Sequence, residues 1–318
     1  MKKSILWILM VLLGVTSFST EKITVYVPSS MTFLQEEIGQ DFLDKTGIEV
    51  EIIGIKGIPA RLKLEKRRPK ADIVLGLSEI NVIQAKKDGT IASYKPKTSE
   101  KIMKKEYMID EEWYTTPFDF GSLAINANKD GLKNMPSSFE DLKKLNKQLI
   151  ILDPNSFTGQ EFMMWTVAVY GENWLKFWEE LKPAIKTTAP GWSEGWAKFT
   201  TNEAPLMVGY ATSDLYFDEK SSYKSFIPSE GGYIYIQGAS IVAKKDIKDG
   251  AKLFMDYILK DKFQKAMADK NYMLPVTDIK LGEEYKRVPT STKVVRVKPG
   301  DLERIEEYKK ELIKLLKK

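Results

Sequence analysis

The sequence predicts an α/β protein with open, mostly parallel β-sheets arranged in two lobes. Predicted strands and helices alternate over residues 23–87, an order that is typical of such sheets. Residues 71–78 form a largely apolar run, which favours a strand buried on both faces. After about Pro96 the chain becomes polar and irregular, and a second alternation of strands and helices then begins. Because the pattern occurs on both sides of this polar stretch, we expect two lobes.

The first alternation can be placed residue by residue. The predicted helix at residues 33–45 carries its apolar residues on one face and stops at Gly47. Ser78 follows the buried strand and can cap the next helix. The elements expected in this part of the chain are strands at 23–27, 48–55 and 71–78 and helices at 33–45, 61–68 and 79–87.

The second alternation begins with an extended segment. Extended crossings near residues 117–126 and 233–243 are expected to join the lobes, with a ligand cleft between them. Lobe 1 is then expected to contain residues 20–116 and 244–318, and lobe 2 residues 117–243. The other elements expected after residue 116 are strands at 123–126, 149–152 and 206–210, helices at 138–145, 160–170 and 174–181, a helix that follows the loop at 190–193 and ends at 199, helices at 250–259 and 262–269, and a charged amphipathic C-terminal helix at 301–318.

Composition excludes several kinds of site. The 318 residues include no histidine and no cysteine, which excludes imidazole bases, thiol nucleophiles, disulfides and metal sites built from these ligands. Lysine and arginine number 49 against 44 aspartates and glutamates, and the net charge of +5 is interspersed along the chain. This pattern favours a solvated surface over a nucleic-acid interface. We expect no catalytic residue, no metal ion, no cofactor and no nucleic-acid partner.

The N-terminus has the pattern of a secretory signal peptide. Lys2 and Lys3 precede an apolar run at residues 5–15, and Ser17 and Ser19 occupy the −3 and −1 positions of a small-residue cleavage site. The alternative is a membrane anchor, but the run is shorter than the ~20 residues that a spanning helix needs. We therefore expect residues 1–19 to be a signal peptide and the mature chain to be exported.

Two kinds of loop are candidates for ligand binding. Residues 153–159 (DPNSFTG) place hydroxyls and a glycine at a helix start, which indicates either an anion site or simple N-capping. Trp192, Tyr210 and Tyr272 lie in or next to predicted loops at the cleft and are suited to stacking on a flat, cationic or heteroaromatic ligand. For Trp196 we favour core packing.

Five segments, in order along the chain, resemble the thiamine-binding periplasmic proteins of ABC importers. The resemblance extends over about residues 25–276 and so covers nearly all of the mature chain. The segments are residues 70–77 (KADIVLGL), 116–121 (TPFDFG), 191–194 (GWSE), 210–213 (YATS) and 271–276 (NYMLPV).

This resemblance implies a fold, a ligand and a partner. The fold would be that of a two-lobed type II periplasmic binding protein, related to ferric-ion and polyamine binders, with two hinge crossings. The chain would act as a monomer that binds thiamine or a thiamine phosphate and delivers it to an ABC permease in the inner membrane. The ligand-binding residues that the resemblance implies are Trp192, Tyr210, Ala211, Thr212, Ser213, Ser156, Phe157, Thr158, Tyr216, Tyr272, Gly54 and Ile55.

The sequence departs from the family at two carboxylates and leaves alternatives open. Ser29 and Ser30 lie in a loop where the family usually has an aspartate, and Gly54 and Ile55 lie where it has an Asp-Gly contact. Lys56, if it points inward, would favour a phosphate. A receptor for a polyamine, a phosphonate or ferric ion is one alternative. Others are an exported hydrolase that uses carboxylates of Asp72, Asp119, Asp153 or Glu194, and a scaffold protein that uses the C-terminal helix.

Overall fold

A computed structural model describes residues 21–317, so the expected signal peptide lies outside the described part of the chain. Among the described residues, no helix is both long and apolar enough to cross a membrane. The strands are β1 (Lys22–Val27), β2 (Glu49–Gly54), β3 (Ile73–Leu77), β4 (Ile91–Ala92), β5 (Thr116–Asn128), β6 (Leu149–Leu152), β7 (Ile185–Ala189), β8 (Leu206–Tyr210), β9 (Tyr223–Phe226), β10 (Gly232–Val242), β11 (Leu274–Pro275) and β12 (Val294–Val295). The helices are α1 (Leu34–Thr46), α2 (Ile58–Glu65), α3 (Glu79–Asp88), α4 (Phe139–Lys143), α5 (Phe157–Tyr170), α6 (Trp174–Leu181), α7 (Trp192–Thr200), α8 (Asp249–Tyr257), α9 (Asp261–Asn271), α10 (Pro299–Glu303) and α11 (Ile305–Lys317).

The sheet consists of two parallel groups of strands joined by a central antiparallel pair. Its strand order is β2-β1-β3-β10-β5-β8-β6-β7. Strands β2, β1 and β3 are parallel to one another, as are β7, β6 and β8. The long strands β5 and β10 pair antiparallel, and each is also antiparallel to its outer neighbour, β8 or β3. The sheet is therefore mixed rather than mostly parallel, because the two crossing strands run against the groups that they join.

Each parallel group is covered by its own hydrophobic core. In the first core, α1, α8 and α9 pack on β1–β3, and the ring of Phe42 meets those of Phe254 and Tyr257 edge-on at 5.3 Å. In the second core, α5 and α6 pack on β6 and β8, and the Phe162 and Trp178 rings lie 5.1 Å apart. The two cores account for the two-lobed α/β architecture expected from the sequence, while the residue boundaries between the lobes stay a prediction.

The C-terminal region differs from expectation. Instead of one helix at 301–318, a break at Arg304 separates α10 from α11. The apolar side chains of Ile305, Tyr308 and Leu312 join the second core, and the Tyr308 ring lies 5.1 Å from that of Trp174. The apolar face of α11 is thus buried in the second core, while the assignment of residues 244–318 to lobe 1 stays a prediction.

Several element boundaries also differ from those predicted. Helix α5 begins at Phe157 rather than at residue 160, because the Ser156 hydroxyl accepts a hydrogen bond from the Gly159 amide and so caps the helix earlier. Helix α7 begins at Trp192, which is therefore a helix residue rather than a loop residue. Strands β7 and β9 were not predicted, because both are short and carry several polar residues.

Asp72 fixes the place where β1, β3 and β10 meet. The residue is 3% exposed, and its carboxylate accepts hydrogen bonds from the Thr24 amide at 2.9 Å, Lys244 Nζ at 2.7 Å and Lys248 Nζ at 3.0 Å. Burial alone raises the pKa of Asp72, but the hydrogen bonds outweigh it and hold the pKa below its ordinary value. Since the folded-state pKa is depressed, the stabilisation is present above the unfolded pKa of about 4 and is lost as the pH falls through the folded-state pKa.

Asp72→Asn is expected to lower the free energy of unfolding at pH 7 by about 2 kcal/mol, because two lysines lose their buried counter-charge while Lys248 keeps some solvation. Urea denaturation followed by tryptophan fluorescence measures the change, and the difference from the unsubstituted protein should shrink below about pH 4. Asp249→Asn is the control, since the exposed Asp249–Lys252 pair should contribute less than about 0.5 kcal/mol. Equal stabilities of Asp72→Asn and the unsubstituted protein at pH 7 would contradict this role.

Candidate ligand-binding site

Four aromatic side chains form a continuous group, here called the aromatic cluster: Trp192, Trp196, Tyr216 and Tyr272. The Trp192 and Trp196 rings are stacked, with centroids 5.1 Å apart and planes at 13°. Tyr216 lies 5.9 Å from Trp192 and 5.1 Å from Trp196, and the Tyr272 ring meets Tyr216 edge-on at 4.6 Å. Three of these residues were predicted to bind the ligand, and Trp196 joins them instead of only packing in the core.

Local backbone geometry places the aromatic cluster. Gly195 lies where α7 meets β6, and a Cβ there would come within 2.6 Å of a Leu152 side-chain carbon. A side chain at this position would make Leu152 shift, so the glycine allows α7, which carries Trp192 and Trp196, to lie close to β6. Tyr272 ends α9 with a left-handed φ of 52°, which turns the chain at this point. Helix α7 and the end of α9 therefore meet at the aromatic cluster.

Two polar atoms at the site have no hydrogen-bond partner among the described residues. These are Trp192 Nε1 and Ser213 Oγ, both fully buried. An unpartnered buried donor or acceptor costs roughly 1–3 kcal/mol, so such atoms are usually completed by a ligand or by water. Tyr216 is 44% exposed, which leaves one face of the aromatic cluster open to solvent. The arrangement can hold a flat ring and donate a hydrogen bond to it.

A second group of predicted residues lies at the end of β8 and is here called the Tyr210 group. It consists of Phe157, Thr158, Tyr210, Ala211, Thr212 and Ser213. The Tyr210 hydroxyl lies 2.9 Å from Thr158 Oγ1, and burial raises the pKa of Tyr210. The Tyr235 ring, which the sequence analysis missed, comes from β10 and lies 4.8 Å from Phe157 and 6.1 Å from Tyr210. The turn that follows Tyr210 contributes buried Ala211, Thr212 and Ser213. The Tyr210 group and the three predicted members of the aromatic cluster together account for nine of the twelve predicted ligand residues, and they lie on neighbouring elements.

The loop at residues 153–159 caps the start of helix α5. The Ser156 hydroxyl donates to the Asp153 carbonyl at 2.7 Å and accepts from the Gly159 amide at 3.2 Å. A Cβ at Gly159 would lie 2.1 Å from the Asp153 carbonyl oxygen, so the loop folds tightly over the helix start. Of the two possibilities that the sequence left open, N-capping is observed, while anion binding here stays a prediction.

Gly54 and Ile55 line a different recess, which contains none of the other predicted ligand residues. Gly54 packs against Ser29 and Thr32, and the Ile55 amide donates to the Val27 carbonyl at 2.8 Å. Lys56 and Arg61 also line this recess and give it a positive charge. Its assignment to the ligand site rests on the resemblance alone.

Two buried carboxyl groups lie near the crossing strands. Asp119 on β5 is fully buried; its Oδ2 accepts from Gln237 Nε2 at 3.3 Å and its Oδ1 has no partner among the described residues. Burial raises the pKa of Asp119 well above its ordinary value. Glu161 on α5 was missed from the sequence, where the only signal was a carboxylate next to the apolar run at 162–165.

Within residues 21–317, no three or more acidic residues are arranged to hold a metal ion.

Comparison with known proteins identifies the family. The sequence profile of the family described as bacterial extracellular solute-binding protein matches residues 26–265. The chain is 30% identical over 240 residues to the thiamine-binding periplasmic protein of Salmonella typhimurium, covering 73% of this chain and 72% of that protein.

Solved structures agree with this family. A periplasmic thiamin binding protein superposes with a TM-score of 0.84 at 25% identity, covering 94% of this chain and 98% of the other. An apo ferric ion-binding protein A from Pasteurella haemolytica has a TM-score of 0.77 at 22% identity, covering 93% and 97%, and shares the fold. The expected type II periplasmic binding fold and the expected resemblance are thus confirmed, and the chain belongs to the bacterial extracellular solute-binding protein family.

Proposed function

We propose that this solute-binding protein binds thiamine or a thiamine phosphate and delivers it to an ABC permease in the inner membrane. In this proposal residues 1–19 are a cleaved signal peptide, and the mature protein acts in the periplasm as a monomer that binds without turnover. Support comes from relatives that are named as thiamine-binding periplasmic proteins. The observation that carries the proposal is the aromatic cluster, with the unpartnered indole N–H of Trp192.

The chemistry of the aromatic cluster suits this ligand. Thiamine consists of two flat heteroaromatic rings, one of which carries a permanent positive charge. Stacked indoles attract such rings through dispersion and cation–π contact, worth ~0.5–2 kcal/mol for each contact. The half-exposed Tyr216 ring leaves a side from which a ring can reach Trp192. The buried indole N–H can then donate to a ring nitrogen or to a hydroxyl group.

Trp192→Ala is expected to weaken thiamine binding by roughly 2 kcal/mol, or about 30-fold, because it removes both stacking area and the N–H donor. Trp192→Phe should keep the stacking and lose a smaller part. Isothermal titration calorimetry measures both variants. Trp113→Ala is the control, since this half-buried tryptophan lies outside the aromatic cluster, beneath the Lys95 amine.

Two results would count against the proposal. If the unsubstituted protein binds neither thiamine nor thiamine monophosphate, the ligand assignment is wrong. If it binds thiamine and Trp192→Ala binds equally well, the aromatic cluster is not the thiamine site.

The double change Ser156→Ala and Thr158→Ala is expected to weaken binding of thiamine monophosphate more than that of thiamine, because hydroxyls at a helix start are suited to a phosphate. The same calorimetric titrations compare the two ligands. Loss of the Ser156 cap should also cost about 1 kcal/mol of stability. Ser138→Ala, which removes the equivalent cap of α4, is the control for that loss. Equal weakening of both ligands would place the phosphate elsewhere.

A further inference from the structure

A recess beside the Tyr210 group contains an uncompensated buried carboxylate. It has a volume of about 60 Å³, is open to solvent on one side, and lies between the start of α3, helix α5, strand β10 and the segment before α10. The polar side chains that line it are those of Ser78, Glu79, Glu161, Tyr233, Tyr235 and Arg296. Neither the names of the relatives nor the resemblance assigns a role to this recess.

Glu161 is the buried acid of the recess. Glu161 is 3% exposed, and its Oε1 atom has no hydrogen-bond partner among the described residues. Burial raises the pKa of Glu161 to about 7, hydrogen bonding of its carboxyl group to the Tyr233 and Ser78 hydroxyls opposes that rise, and the charge of Glu79 adds to it. A buried polar side chain is almost always hydrogen-bonded, so an orphaned carboxylate oxygen in a polar recess calls for a partner that is absent here.

The charges around Glu161 do not provide that partner. Burial raises the pKa of Glu79, whose side chain still reaches solvent at the opening, and Arg296 opposes that rise. No ion pair found in residues 21–317 links either glutamate to a lysine or arginine. The other ionisable groups that the charge on Glu161 affects are the tyrosines of β8 and β10, Tyr210, Tyr233 and Tyr235, and β5 contributes buried Asp119 to the same region. The recess therefore has an excess of acidic groups.

The recess adjoins the predicted ligand residues. Glu161 lies one turn along α5 from Phe157 and Thr158, which places the three on one side of the helix. Tyr235 lines the recess and also contacts Phe157 and Tyr210. A ligand held at the Tyr210 group can therefore extend into the recess along β10.

We propose that this recess is part of the ligand site and receives a positively charged group of the ligand, with Glu161 as its counter-ion and Glu79 at the opening. This inference deepens the proposed function, because it names the charge that the site selects. An ion-paired carboxylate within a partly dehydrated recess is a strong acceptor, whereas a cation in the aromatic cluster alone would meet only ring faces.

Binding of a cation here must be coupled to loss of a proton. In the free protein Glu161 is mostly protonated at pH 6, and the cation requires the ionised form, so binding releases a proton to solvent. The affinity for a permanently charged ligand should therefore rise by about tenfold between pH 6 and pH 8 and level off above that range.

The test is calorimetric titration of the mature protein with two cationic probes, thiamine and spermidine, at pH 6 and pH 8. Repeating each titration in buffers of different ionisation enthalpy counts the protons released. We compare the variants with the probe, thiamine or spermidine, that the unsubstituted protein binds more tightly. Glu161→Gln is expected to bind that probe at least tenfold more weakly at pH 8 and to lose both the pH dependence and the proton release. Glu79→Gln should cause a smaller loss. Glu179→Gln on α6, exposed and outside the recess, removes the same charge and should change nothing.

The outcomes separate the two proposals. If thiamine fails to bind but spermidine binds with the stated dependence on Glu161, the thiamine assignment is wrong and the cation recess stands. If thiamine binds equally well to Glu161→Gln with no proton release, the recess inference is overturned and the thiamine assignment stands. Binding of neither probe overturns both. Proton release that persists in Glu161→Gln would come from another buried acid such as Asp119 and would overturn the recess inference.

Discussion

The antiparallel pairing of β5 with β10 is the constraint on which the rest of the molecule depends. These two strands join the parallel groups of the sheet, with Ile234 opposite Ser122 and Ala239 opposite Thr116. The register shifts between Gln237 and Gly238, beside the place where Gln237 donates to buried Asp119. Such a bulge locally disrupts the ladder and can re-aim a side chain, and here it lies beside the buried carboxyl group of Asp119. The helices and turns of the ligand site extend from the strands on either side of this pair.

Several buried polar atoms without partners lie on the crossing strands or on the elements of the candidate site. Trp192, Ser213, Glu161 and Asp119 each have one such atom among the described residues. Each costs free energy in the unliganded protein, and a ligand that completes them recovers part of that cost on binding. Asp72 shows the contrast, since its carboxylate is buried to the same degree but is satisfied by two lysines and a backbone amide. Its role is structural, while the unsatisfied groups are suited to binding.

The sequence predicted the fold well where local patterns decide it, and the site only in part. The alternation from β1 to α3 follows from apolar periodicity and from the Ser78 cap, both of which are local. The packing of α11 in the second core is not local, because one amphipathic helix can cover either core. The aromatic residues of the site were identified, but the stacking of Trp192 on Trp196 depends on how closely Gly195 approaches β6. Glu161 was missed because its recess is formed by β10 and Arg296, which are distant in sequence.

In the proposed complex, one ligand spans the aromatic cluster and the Glu161 recess across the β5–β10 crossing. A crystal structure of the mature protein with thiamine bound tests this claim most directly. The account predicts a heteroaromatic ring against Trp192, within hydrogen-bond reach of its indole nitrogen, and the positively charged ring facing the Glu161 carboxylate. Thiamine bound instead in the basic recess lined by Gly54, Lys56 and Arg61, with the Glu161 recess filled by water alone, would contradict it.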